Sequence, residues 1–298
     1  MLRLLFLTRF VRMTLLIACL FLAQAGWSRD LNEIKQAGVI RHIGVPYAHF
    51  VTGGGDGLDV ELIRGFARQL GVEYQFIETN WGNLLGDLIG HKVTLGDQGV
   101  ERLAPTPVRG DIIASGLTVL DWRKKVIDYS DPIFPTAVWL LSRADSSIQP
   151  IKPSGSLKRD ITRVKALLAG RTVLGLENTC LDPKLYQLSK TNADIRLADN
   201  TVRLNEMAPA IINRLTETTL LDVPDALIAL DKWPGKLKVI GPISERQVMA
   251  AGFRKASPEL RHAFNRYLQQ LKQDGTYLEL IKKYYPTVFH HYGDFFQG

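Results

Sequence analysis

Strand-like and helix-like segments alternate along the chain, and that alternation is the strongest limit on its fold. Val39–Val45 is a short apolar run. Leu58–Leu70 carries Val60, Leu62, Ile63, Phe66, Ala67 and Leu70 at helical spacing and stops at Gly71, and Val72–Ile77 alternates again. The same reading predicts a helix over Asn80–Ile89 with Trp81 at its start, and strands over Val126–Tyr129, Thr136–Ser142, Thr172–Leu176, Ile195–Ala198, Thr218–Leu221, Lys236–Ile240 and Gln247–Phe253. Helices are expected over Asp182–Leu188, Leu204–Leu215 and, from Asp222, to Leu230; Asp145–Arg159, rich in Pro and Ser, reads as a loop before a short helical turn over Val164–Leu168. Asp30 should cap a short first helix, and Ser257 a last long one running to Lys272. Such alternation argues an α/β architecture with mostly parallel sheets.

The first 25 residues read as a secretory signal. Arg3, Arg9 and Arg12 precede the apolar stretch Thr14–Leu22, and Ala23-Gln24-Ala25 is a small-x-small cleavage site. A lipoprotein signal ending at Cys19 ranks second and an uncleaved anchor third. Once the leader is removed, Cys180 is the one remaining cysteine, which forbids an internal disulfide and leaves it a buried small hydrophobe or a reactive thiol. The net charge of +7, with basic and acidic residues mixed, gives little support for nucleic-acid binding.

The most informative stretch is Arg109–Pro132. Ile112-Ile113-Ala114 reads as a buried strand that opens into Ser115-Gly116-Leu117-Thr118, with Arg123 five residues on. A glycine permits close approach of a ligand, and a hydroxyl with a guanidinium suits a carboxylate. On composition alone Arg123 could equally lie on a solvated loop. The wider pattern, Gly116-Leu117-Thr118-Val119-Leu120-Asp121-Trp122-Arg123 followed by Ile127-Asp128-Tyr129-Ser130-Asp131-Pro132, resembles the periplasmic amino-acid-binding proteins of ABC transporters, with Leu120 where that pattern has a second Thr. The resemblance implies a two-lobe type 2 periplasmic-binding fold. The leader would span residues 1–25, lobe 1 residues 30–140 plus 241–298, and lobe 2 residues 141–240, joined by a two-strand hinge. Val93–Val108 is an insertion relative to the family, readable as a hairpin beside the cleft.

The resemblance also supplies a candidate site. Tyr47, in Tyr47-Ala48-His49-Phe50, and Trp81 would form an aromatic wall, although either could be plain core. Gly116, Thr118 and Arg123 would clamp a carboxylate. Thr179 would offer its backbone N–H at a helix start, with Asn178 in place of the family's Gly. Asp222 would take an α-ammonium, or merely cap the following helix. The implied function is a periplasmic receptor, monomeric, that closes on an amino-acid-like ligand and presents it to an ABC-transporter permease. No cofactor or metal is expected; adjacent His290 and His291 need not converge. Two alternatives stand beside it. One is a secreted dehydratase of the cyclohexadienyl or arogenate type on the same fold, with Asp59, Glu61, Glu177 or Asp222 as acid–base groups. The other is a stand-alone sensory domain for a membrane partner.

Overall fold

The computed structural model describes residues 29–199 and 204–296. The signal segment, including Cys19, lies outside the described residues. The elements are α1 (Leu31–Ala37), β1 (Val39–Gly44), α2 (Leu58–Leu70), β2 (Glu73–Glu78), α3 (Leu84–Ile89), β3 (His91–Gly96), β4 (Gly99–Pro105), β5 (Ile112–Ile113), α4 (Asp121–Lys124), β6 (Ile127–Tyr129), β7 (Phe134–Thr136) and β8 (Val138–Arg143). Then come α5 (Leu157–Ala166), β9 (Thr172–Gly175), β10 (Asp194–Leu197), α6 (Met207–Ile212), β11 (Thr218–Asp222), α7 (Val223–Lys232), β12 (Leu237–Pro242), β13 (Gln247–Met249), β14 (Gly252–Arg254), α8 (Pro258–Gln273), α9 (Thr276–Tyr284) and α10 (Phe289–Tyr292).

Two five-stranded sheets result, ordered β2-β1-β5-β14-β6 and β10-β9-β11-β8-β12. Each is mixed rather than mostly parallel, because in each sheet one strand runs against both of its neighbours. β14 pairs antiparallel with both β5 and β6, and β8 antiparallel with both β11 and β12. The expected single strands at Thr136–Ser142 and Gln247–Phe253 are each broken in two. β7 and β13 form a two-stranded ribbon between the sheets, after which β8 and β14 turn into opposite sheets. The second sheet spans Val138–Pro242, slightly wider than 141–240 at both ends.

Local chemistry explains other departures. Asn80 Oδ1 accepts the Asn83 N–H at 3.0 Å, a turn that delays α3 to Leu84 and leaves Trp81 outside it. Gln187 takes a left-handed φ of 55° and splits the segment after Asp182 into two 3-10 turns, Pro183–Tyr186 and Leu188–Thr191. The helix expected over Leu204–Leu215 is a 3-10 turn, Leu204–Glu206, followed by α6. The presumed loop before Val164 holds the start of α5, where the Asp160 carboxylate accepts the Ser154 N–H. Asp30 caps α1 as expected, with a reciprocal bond from its own N–H to Glu33. Ser257 does not cap α8 through its side chain. Its hydroxyl donates to the Arg29 carbonyl, and the Asp30 carboxylate accepts the Glu259 and Leu260 N–H groups instead.

The first sheet packs against α2 and α8 through Leu62, Phe66, Phe253 and Phe264, with Phe66 edge-on to Phe264 at 5.3 Å. β3 and β4 pair as an antiparallel hairpin, the form expected for the inserted segment. Among the described residues, no helix is long and apolar enough to cross a membrane.

Candidate functional site

The loops at the ends of β1, β5, β9 and β11 meet between the two sheets. Tyr47, just past β1, stacks on Phe50 at 5.8 Å and meets the Trp81 ring edge-on at 5.6 Å. All three rings are buried. Gly116 follows β5 with φ of 58°, and a Cβ there would lie 2.6 Å from the Phe50 ring and 2.9 Å from that of Tyr47. A left-handed glycine is therefore needed to seat this aromatic cluster.

Asp222 closes β11 and starts α7. Its Oδ1 accepts the Asp225 N–H at 3.2 Å and the Tyr47 hydroxyl, and its Oδ2 lies 3.6 Å from the Cys180 thiol. The capping reading and the site reading thus fall on one carboxylate. Burial pushes the Asp222 carboxyl up to about 6, against hydrogen bonds from Tyr47 and Asp225 that pull it down. Burial, then the neighbouring Asp222, pushes Asp225 up to about 8, and burial raises the Tyr47 phenol and the Cys180 thiol.

Arg123 is buried on α4 and is not on a solvated loop. Its Nη1 donates to the Thr118 carbonyl at 3.1 Å, and its Nη2 to the Asn178 carbonyl at 2.8 Å. The second bond joins the two lobes. Arg123 Nε and Trp81 Nε1 are buried without a hydrogen-bond partner among the described residues, and the Thr118 hydroxyl has the Cys180 thiol as its polar neighbour. Thr179 turns its hydroxyl into its own loop, donating to the Leu176 carbonyl and accepting the Leu181 N–H. Since 3-10 turns follow it, Thr179 does not stand at the N-terminus of an α-helix, and the dipole argument for an anion there loses its basis.

The structure therefore brings Tyr47, Trp81, Gly116, Thr118, Arg123 and Asp222 into one buried region, with Thr179 at its edge. Sequence reasoning undervalued Asn178, whose left-handed φ of 60° and four hydrogen-bonded connections make it a junction. The signal was present, since Asn tolerates that conformation where a motif otherwise asks for Gly. Of the other acids nominated for catalysis, Glu61 bonds Lys283 and Tyr284, and Glu177 pairs with Lys184 at 3.1 Å.

Asp59, at the start of α2, is buried and accepts the Gly116 N–H at 2.7 Å. Burial raises its carboxyl to about 7. From about pH 4 to about pH 7 the unfolded chain has released this proton while the folded chain keeps it, so the group costs stability as pH rises through that window. His42 has the opposite sign. Burial lowers it to about 4, and its contribution is lost as pH falls from about 6.5. The difference between the native protein and Asp59→Asn isolates the carboxyl. Between about pH 5 and 7.5 the native protein should lose more melting temperature than the variant; parallel changes in thermal melts would refute a raised Asp59.

The sequence profile of the bacterial extracellular solute-binding proteins, family 3, matches residues 89–287. The membrane-bound lytic murein transglycosylase F of Desulfosudis oleivorans is 27% identical over 234 residues, 78% of this chain, which spans 44% of that relative's length. The arginine-binding extracellular protein ArtP of Bacillus subtilis is 25% identical over 283 residues, covering 91% of this chain and 96% of the relative. The crystal structure of the P235GK mutant of ArgBP from T. maritima shares the fold, with a TM-score of 0.66 at 24% identity over 86% of this chain and 99% of that one. With two mixed sheets joined by a ribbon and a family match covering most of its length, the chain belongs to the bacterial extracellular solute-binding proteins, family 3.

Proposed function

We propose that this protein is a periplasmic receptor whose lobes close on a small amino-acid-like ligand, and that the closed form delivers it to an ABC-transporter permease. The observation that carries the reading is the pairing of opposite anchors in one buried region. Arg123, with Nε unpartnered, stands beside Thr118 Oγ1 for a carboxylate, and Asp222 offers a carboxylate for an ammonium. A zwitterion gives each charge a hydrogen-bonded partner once water is excluded. Tyr47 and Trp81 supply the wall, Gly116 the room for it, and Thr179 a backbone contact from the second lobe. To admit an ammonium, the Tyr47 hydroxyl must give up or share Asp222. The protein acts as a monomer and reaches the periplasm by cleavage of the 1–25 leader.

A second reading, a lyase on the same fold, draws on the Tyr47–Asp222 bond, since a carboxyl near 6 beside a phenol could move a proton. A thermal-shift screen of the mature protein against amino acids and small carboxylates separates the two, because a ligand of the native state raises apparent stability by mass action. At about 100 times its Kd, a ligand should add roughly 2.7 kcal/mol. A shift with the amino acid recovered unchanged supports the receptor; no shift with any amino acid, together with turnover of prephenate, would replace it by the lyase.

A further inference from the structure

The β3–β4 hairpin grows from the first lobe, yet its inner edge touches the second. Thr94 Oγ1 donates to Asn178 Oδ1 at 3.0 Å, and the Leu95 N–H donates to the same oxygen at 2.9 Å. Asn178 is held for this task at its other polar groups. Its N–H donates to Asp182 Oδ2 at 3.1 Å, and its carbonyl accepts Arg123 Nη2 at 2.8 Å. One residue of the second lobe is therefore tied to the hairpin through its side chain and to Arg123 through its backbone. Lys184, hydrogen-bonded to Glu177 on the same loop, also feels the charge of Asp97 in the hairpin turn. The outer strand, β4, remains largely exposed, whereas Thr94 and Leu95 on β3, which meet Asn178, are half-buried.

We propose that the β3–β4 hairpin and Asn178 form a latch across the cleft, in which Asn178 is a positioning residue that fastens the second lobe to the hairpin and sets Arg123. Opening the lobes must break the two bonds to Asn178 Oδ1 together with the Arg123–Asn178 bond, because all three cross the same gap. The latch thus couples the hairpin to the guanidinium, with no ligand contact of its own. The consequence for ligand rests on the proposed role of Arg123; the latch itself does not.

The test is Asn178→Gly, since glycine accepts the left-handed backbone and keeps the backbone bonds while the side-chain bonds are lost. Thr94→Val, which removes one bond and preserves shape, is the second variant. Hydrogen exchange at the Leu95 amide and small-angle scattering are measured on the full protein without ligand, so a failure of amino-acid binding would leave the result interpretable. Asn178→Gly should speed Leu95 exchange by about thirtyfold, as expected for two lost bonds of ordinary strength, and should increase the radius of gyration; Thr94→Val should give a smaller change in the same direction. Unchanged Leu95 protection and an unchanged radius in Asn178→Gly would overturn the latch, as would a native Leu95 amide that exchanges as fast as a free one.

Discussion

Arg123→Ala is expected to abolish measurable amino-acid binding, with affinity falling at least about 100-fold, the usual cost of removing one partner from a desolvated charge contact. The same change should lower stability. Arg123 is 2% exposed, and its loss strips the Asn178 carbonyl of its donor and leaves the Thr118 carbonyl only the longer bond from the Tyr129 hydroxyl, at 3.3 Å. Buried acceptors stripped of a donor cost about 1–3 kcal/mol each. Arg123→Lys discriminates between the two effects. An ammonium can restore charge but cannot span two carbonyls and a ligand oxygen with a fixed fork. The lysine variant should therefore recover part of the stability and little of the affinity. Isothermal titration with whichever amino acid shifts the melting curve provides the measurement. Undiminished binding in the alanine variant would remove Arg123 from the site.

The second large effect is expected at Asp222, where two substitutions should separate its roles. Asparagine caps helices about as well as aspartate, so Asp222→Asn should retain the bond to the Asp225 N–H and most of the fold's stability. It removes the charge that would meet an ammonium, and affinity should drop by about two orders of magnitude. Asp222→Ala should lose both, with about 0.5–2 kcal/mol from the cap alone and more from the stranded Tyr47 hydroxyl. If Asp222→Asn binds a zwitterion as tightly as the native protein, Asp222 is a cap and nothing more, and the ammonium must be held elsewhere.

How far the sequence reveals these features depends on how local their causes are. Helix α2 is legible to the residue, because its apolar spacing and the left-handed Gly71 that ends it are written within a few turns. The hairpin is legible as a hairpin for the same reason. The cap of α8 is not, since its acceptor, Asp30, lies 229 residues before Glu259. Nor is the Tyr47–Asp222 bond, which joins positions 175 apart. The resemblance put both residues near a ligand, but their direct bond depends on how far the lobes approach each other. Asn178 shows the limit most clearly. Its backbone conformation is a local matter, whereas its side chain is committed by Thr94 and Leu95, 84 and 83 positions away. Thr179 fails the other way. The resemblance implies a helix start there, and a single left-handed residue, Gln187, divides the segment into 3-10 turns.

The place of β14 governs the order in which the protein can be assembled. This strand sits between β5 and β6, inside the first sheet, yet it comes after every strand of the second. The amino-terminal half consequently cannot complete its own sheet as it is synthesised; an interior strand is missing until Arg254 has been added. Non-local closure of this kind slows folding, because the cost of joining distant segments comes before their contacts form. For most of its synthesis the nascent chain therefore holds a first sheet that cannot close, and the two lobes are completed together only near the end.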